Sequence, residues 1–364
     1  MRDAPRVVVV GGGIAGLTIA WELGRRGARV TLVRSDRPRT SVVAAGMLAP
    51  MPEALVTGSM LRLGVEALRH YPEFLETLAE DTARPTGFVR SGVLRLATGE
   101  AAIAALREEV GSYEAAGMPS QWLDARSART LAPGLPPSIA GGLLSFEEAQ
   151  VQPVWLLAAL EEAAFRREVA TVDGRVAKVS ARRDGVEVHL DQGGLIAGDR
   201  LVLAAGSWTS ELAADIPVRP VKGQLLAFAA GEGPEPIIYH DHHYLLTKPD
   251  GAVLLGGTME EAGFSLEPDG AGTALRELLP VFWPSLSTVA AETRVGLRPA
   301  SPDGLPLCGG LPGMQAVYAF TAHFRNGFLL CPHGARLAAR EILDGEAQEL
   351  FNALRPARFR SAPL

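Results

Sequence analysis

Cysteine is nearly missing from this chain: Cys308 and Cys331 are the only two in 364 residues. Two thiols cannot build a disulfide framework or a four-cysteine metal site, which leaves small core filler in a reducing compartment as their ordinary reading. Long apolar runs are missing as well. None approaches the ~18 residues of a membrane span. The first apolar run is taken up by the N-terminal strand described below, so a secretory leader is not expected. Nor is there a basic excess. Lys and Arg number 35 against 41 Asp and Glu, and a net charge of −6 gives no support for nucleic-acid binding. The short basic tail of Arg355, Arg358 and Arg360 reads as a solvated end. With 47% hydrophobic residues and 40 glycines, the composition fits a folded α/β protein, and 364 residues exceed what one core usually holds, so two domains are expected.

The strongest positive signal is Arg6-Val7-Val8-Val9-Val10-Gly11-Gly12-Gly13-Ile14-Ala15-Gly16. Four β-branched residues in a row predict a buried parallel strand. Gly11, Gly13 and Gly16 then fall on the G-x-G-x-x-G spacing: a sharp turn, a close approach for a pyrophosphate, and tight packing of helix on sheet. Ile14, Leu17, Trp21 and Leu23 mark the buried side of the following helix, and Gly27 is placed to end it. The N-terminus of that helix aims free N–H groups at the phosphates. With Ala28 to Val33 as a second strand, the unit is strand–turn–helix–strand, which makes the glycine spacing specific for a dinucleotide. The second strand ends where such folds carry Asp or Glu for the ribose hydroxyls, but here the residues are Arg34, Ser35 and Asp36. Two readings stand: an NADP site in which Arg34 meets a 2′-phosphate, or an acceptor role shifted to Asp36.

Further along, Arg39 to Pro50 is a run of small residues, either a packed loop or backbone passing close to something flat. From Leu61 to about Leu131 the pattern is mostly helical, with Asp124 as an N-cap. A strand from Gly141 to Phe146 and a helix from Pro153 to about Glu168 follow. Three short strands near 175–180, 186–190 and 195–197 come next, then a buried strand ending in Ala204-Ala205-Gly206. No second glycine fingerprint occurs, which argues against a reductase with a separate nicotinamide domain. Ile237 to Tyr244 reads as one strand, with His240, His242 and Tyr244 on one face. By its residues alone that trio is open to two readings: the start of a zinc site, or ordinary polar residues of a half-exposed strand. A helix near 272–281, ended by Pro284, leads to a strand from Val289 to Arg298. Val289, Ala291, Thr293, Val295 and Leu297 form its apolar face. Arg298 points away from it, and taken alone a structural salt bridge with Glu292 is a fair reading of it. In the last motif Asn326-Gly327 permits positive φ, and a helix begins just after it and runs to about Leu343, with Gly345 as its stop.

Several of these stretches occur in the order of one family. The run Thr40-Ser41 through Ala45-Gly46-Met47-Leu48, the Ala-Ala-Gly strand, Pro220 to Gln224, Tyr239 to Tyr244, Gly296 to Pro306, and Thr321 to Leu330 resemble the glycine oxidase branch of the D-amino-acid oxidase and sarcosine oxidase family of FAD enzymes. The resemblance implies an α/β protein with a Rossmann-like FAD-binding domain on a parallel sheet, plus a discontinuous, mostly antiparallel-sheet substrate domain. The first is expected from residues 1–80, 145–220 and 296–364, the second from 81–144 and 221–295. FAD then lies along Gly11, Gly13, Ile14, Ala15, Gly16, Arg34, Ser35, Asp36, Thr40, Ser41, Ala45, Gly46 and Met47. Farther on it meets Val176, Ala205, Gly206, and His323, Phe324, Arg325, Asn326, Gly327, Phe328 and Leu329. Arg298 clamps a substrate carboxylate, helped by Tyr244, while Arg325, Met259, His242 and Met47 complete the active site.

The implied reaction is oxidative deamination of glycine, sarcosine or D-alanine by hydride transfer to flavin N5. It yields an imine or 2-oxo acid, ammonia and, with molecular oxygen, hydrogen peroxide. The resemblance further implies a homotetramer that supplies thiamine thiazole synthesis; the composition adds a cytoplasmic location and no bound metal, nucleic acid or membrane. Two alternatives remain beside it: a dehydrogenase of the same fold that passes electrons to a quinone, and a non-catalytic flavin- or partner-binding protein.

Overall fold

The computed structural model describes residues 4–53, 58–229 and 232–359. The valine run forms the strand Arg6–Val10, parallel to Arg29–Arg34 on one side and Arg200–Leu203 on the other. Its alternation divides the valines between two cores. Val7 and Val9 pack under the helices Ile14–Arg25, Pro153–Arg166 and Gly327–Asp344, and Val8 and Val10 pack on the opposite face with Val186 and Val188. The latter belong to a three-stranded antiparallel sheet of Val176–Arg182, Gly185–Leu190 and Leu195–Gly198. A strand buried on both sides must be apolar throughout, which is why four valines occur in succession. Ala170–Asp173 adds an edge strand, and Leu307–Leu311 with Met314–Thr321 closes the other end, making six strands.

A second sheet of eight strands is antiparallel apart from one parallel pairing, Ile237–His240 with Val93–Ala97. One face packs on helices through Leu226, Phe228, Ile238, Leu245 and Leu255. The other packs through Leu225, Tyr239, Tyr244 and Leu246 on Ala45 and Ala49 of the small-residue run. That run therefore lies between the two sheets, and the candidate site lies along it.

The region from Leu61 to Leu131 is mostly helical, as expected, but the strands Val93–Ala97 and Ser120–Asp124 separate its helices. Each is only five residues long, and their pairing partners, including Gly141–Ser145, are distant in sequence, so local periodicity does not reveal them. Asp124 does cap the helix Ala125–Leu131, accepting from Ser127 N at 2.7 Å. Ile237 to Tyr244 is a hairpin rather than one strand. Asp241 turns the chain with φ 52°, His240 pairs with His243, and Tyr239 faces Tyr244. Period-two alternation does not run through a turn, so His240, His242 and Tyr244 do not share a face. Finally, Asn326 has φ −103°, and the left-handed residues of that loop are Ala322 and Phe324. Phe324 is held there by its N–H on Pro299 O, 3.0 Å away. Gly327 instead allows close approach, since a Cβ on it would stand 3.3 Å from Ile14.

No helix among the described residues is long and apolar enough to cross a membrane.

Candidate active site

A cleft of about 1190 Å³, its open mouth included, begins at the first glycine turn. Gly11 has φ +129°, and a Cβ on it would overlap Ala204 O of the neighbouring strand. Gly16 is as tightly placed against Gly11 O, so it shapes the turn from behind and does not line the cleft. Two helix N-termini open into this space, at Gly13 to Ala15 and at Gly327 to Phe328. Their N-cap residues, Gly13 and Asn326, make no side-chain cap, and neither first turn carries an acidic residue. Ile14 N donates to Ser41 Oγ at 3.1 Å. Uncapped N–H groups and two dipole ends suit the phosphates and the anionic edge of a dinucleotide. Ser35, Thr40, Val176, Ala205, Gly206, His323 and Phe324 line the remainder. Burial pushes His323 down to about 4, so it is a neutral imidazole beside the cleft.

Arg34 does not line this cleft. Its stem packs on Gly12, while the guanidinium turns out to Asp173 at 2.6 Å and Glu161 at 3.7 Å. Asp36 is exposed and also lies off the cleft. The carboxylate that does line this end is Glu211, held by Arg37 at 2.8 Å and Arg175 at 3.3 Å. Trp208 lies under Arg37, 5.2 Å from the guanidinium carbon to the ring centre. With Arg34 engaged by Asp173, the expected 2′-phosphate partner is not presented to the cleft.

A smaller cavity meets the first, and Thr40, Ala44, Phe324, Arg325 and Phe328 line both. Ala45, Gly46 and Met47 form one wall. That segment is pinned by Lys248, whose ammonium donates to Ala45 O at 2.8 Å and Gln150 Oε1 at 3.0 Å. Burial lowers Lys248 to about 7. The opposite wall is the strand Glu292–Ala300. Its alternation points Arg294, Gly296 and Arg298 inward, and Leu297 is buried on the other face. Arg298 lies against Gly223, where any side chain would displace it, and donates to Thr258 O at 2.7 Å. Glu292, the expected structural partner, pairs with Arg294 instead at 2.8 Å. Among the described residues no carboxylate stands within ion-pair distance of Arg298, and burial draws its pKa down. Tyr244 is buried beside it on Gly256, with its hydroxyl pushed upward by burial.

Arg325 bridges the two cavities. Its Nε is 2.7 Å from Glu53 Oε2 and its Nη2 is 2.9 Å from Glu53 Oε1, with Tyr239 Oη at 3.4 Å. Met259 touches it from the rim, 3.8 Å from Sδ to Nη1, but is 48% exposed. His242 is exposed at the hairpin turn and lines neither cavity. Asn326 and Leu329 also line neither, and Leu329 is fully buried core. Sequence reasoning passed over Glu53, Tyr239, Lys248 and Glu211. Glu53 follows the small-residue run at no recognisable spacing, and the others carry no local signal.

A dinucleotide cleft with two uncapped helix N-termini, joined to a small cavity that holds an unneutralised arginine, defines a dinucleotide-dependent oxidoreductase. The model of the family described as DAO, FAD dependent oxidoreductase, matches residues 6–341, and the chain belongs to that family; its cofactor is FAD. It is 34% identical to the bifunctional protein ThiO/ThiG of Synechocystis sp. over 99% of this chain and 55% of the relative, so it spans about half the length of that relative. It is 29% identical to the glycine oxidase of Pseudomonas aeruginosa, over 93% of this chain and 95% of the other. The solved glycine oxidase of Geobacillus kaustophilus superposes with a TM-score of 0.90 at 26% identity, covering 98% of this chain and 99% of that one.

Proposed function

We propose that the chain is an amino-acid oxidase of the glycine oxidase kind, acting on glycine or a similarly small amine acid such as sarcosine or D-alanine. The observation that carries the reading is Arg298, whose guanidinium is drawn down by burial and has no carboxylate partner among the described residues, in the cavity that meets the cofactor cleft. A planar fork of donors fits one α-carboxylate. Glu53 neutralises Arg325, so the cavity has charge for one substrate carboxylate.

The glycine turn and the helix starting at Ile14 would hold the FAD pyrophosphate, and the uncapped N-terminus of the helix starting at Gly327 would favour negative charge on the bound cofactor. FAD, when bound, would supply the two-electron acceptor for the substrate, with oxygen as the final oxidant. Everything else is positioning by this chain. Arg298 and Tyr244 fix the carboxylate, so the α-carbon faces the junction at Phe324, Arg325 and Phe328. Glu53 holds Arg325 in place. The small wall at Ala45-Gly46 limits the side chain, and burial keeps water out. The substrate amine reacts as the neutral form.

In this reading residues 1–80, 145–220 and 296–364 carry the cofactor and 81–144 with 221–295 carry the substrate. The protein is a cytoplasmic homotetramer, and its imine product serves thiamine thiazole synthesis. Purified enzyme is expected to release ammonia and peroxide from glycine in air. Turnover with an artificial acceptor but no peroxide would replace the oxidase reading with a dehydrogenase.

A further inference from the structure

The helices Ile14–Arg25 and Gly327–Asp344 lie along each other beyond the cofactor cleft. Together with Tyr71–Ala79 they enclose another cavity, about 790 Å³ with its open mouth, which shares no residue with the site above. Four guanidinium groups line it, from Arg25, Arg26, Arg336 and Arg340, against the two carboxylates of Glu22 and Glu73. Glu22 is held by Arg25 at 3.0 Å and Arg26 at 2.6 Å, and Glu73 by His70 and Arg336, both at 2.9 Å. Arg26 and Arg340 reach Asp344 and Glu346 at the rim only at 3.9 and 3.8 Å.

The floor is His333, 5% exposed and stacked on His70 with ring centres 4.4 Å apart. Among the described residues neither of its ring nitrogens has a hydrogen-bond partner, and neither does the buried Nε of Arg336. The nearest carboxylate to His333 is Glu66, 4.0 Å away. The helix beneath it is secured without His333. Pro332 removes the N–H that Phe328 O would accept, and Tyr71 Oη donates to that carbonyl instead at 3.1 Å. Buried donors and acceptors are ordinarily paired, so three unpaired atoms lining one cavity point to a ligand.

The kind of ligand follows from the atoms. Burial, with His70 and Arg336 adding to it, lowers His333 to about 3, so the ring is neutral and offers one N–H and one bare lone pair. A partner for this floor must accept from Arg336 and also donate to the imidazole. A carboxylate only accepts. A phosphate monoester in its monoanionic form, which keeps one O–H below a second pKa of about 6, does both, and its charge matches the guanidinium excess. We propose that this cavity binds a small phosphate-bearing metabolite, its phosphate on His333, Arg336 and Arg340. The site is independent of the oxidase reading.

The test is calorimetric titration of the FAD-loaded protein at about pH 6, where a phosphate monoester keeps much of its proton, with inorganic phosphate and with glycerol 3-phosphate at constant ionic strength, and with sulfate as an anion that has no proton to donate. Saturable binding of both phosphates is expected, with sulfate weaker by at least about tenfold. The side chain of Arg340 is 47% exposed, so R340Q is a folded variant, and it is expected to weaken phosphate by a similar factor. R336Q/R340Q should abolish binding. No saturable binding up to about 10 mM, equal binding of sulfate, or unchanged affinity in R340Q would each overturn the proposal.

Discussion

Replacing Arg298 by methionine separates a functional arginine from a structural one. The guanidinium is desolvated, and the contacts the structure gives it are the bond to Thr258 O at 2.7 Å and packing on Gly223. Removing one side of a desolvated, hydrogen-bonded charge pair costs about 3–5 kcal/mol. At about 1.36 kcal/mol per tenfold, kcat/KM for glycine should fall by roughly 10²- to 10⁴-fold. The loss should fall mostly on KM if the carboxylate grip is equal in the ground and transition states. Stability should move the other way or not at all. Methionine fills a similar volume, removes a buried charge that has no ion pair among the described residues, and gives up about 1 kcal/mol of hydrogen bonding. A melting temperature within about 2 °C of wild type is therefore expected. R298K should be intermediate, because it keeps charge but not the fork. Steady-state kinetics with thermal melting reads both quantities. A variant with normal KM and a lowered melting temperature would show that Arg298 is structural and refute the reasoning.

The remaining expectations concern other groups. Glu53→Gln leaves the Arg325 cation buried without its partner, so the protein should lose about 3–5 kcal/mol in denaturant unfolding, and an unchanged midpoint would contradict the ion pair. Gly11→Ala places a Cβ on Ala204 O at a backbone angle that disfavours side chains, so it should purify without flavin; a yellow variant would show that the turn relaxes. Arg34→Ala should leave FAD affinity within about threefold, since the side chain belongs to Asp173 and Glu161; a loss beyond tenfold in fluorescence titration would place Arg34 on the cofactor. Burial raises Glu148 to about 7, above its value in the unfolded chain. The folded state therefore binds the extra proton, and this stabilisation is full below the ordinary carboxylate range and lost as pH rises through 7. In E148Q the melting temperature should decline less between pH 5 and 7 than in wild type, and parallel curves would count against the shift.

The sequence carried the first strand, turn and helix of the cleft because their signals are local. A valine run, three glycines at fixed spacing and a following amphipathic helix are one contiguous unit, and it forms as read, at Arg6–Val10 and Ile14–Arg25. The direction of Arg298 was legible for a similar reason, since alternation along one strand settles its face. What failed was whatever depended on distant pairing. The strands Val93–Ala97 and Ser120–Asp124 are explained by their partners in the second sheet, not by their own pattern. His242 was misplaced because one left-handed aspartate, Asp241, turns an apparent strand into a hairpin. Arg34 looked like a cofactor determinant because its position is one. Only the structure shows Asp173, from an edge strand 139 residues away, drawing the guanidinium off the cleft. Glu53 and Tyr239 act through Arg325, and nothing local ties the three together.

The central claim is that the arginine cavity delivers a small amino acid to bound FAD, and a visible absorption spectrum tests it most directly. Purified protein should show oxidised flavin, and glycine added without oxygen should bleach it, with colour returning on admission of air. A flavin spectrum that glycine, sarcosine and D-alanine all leave untouched would contradict the account.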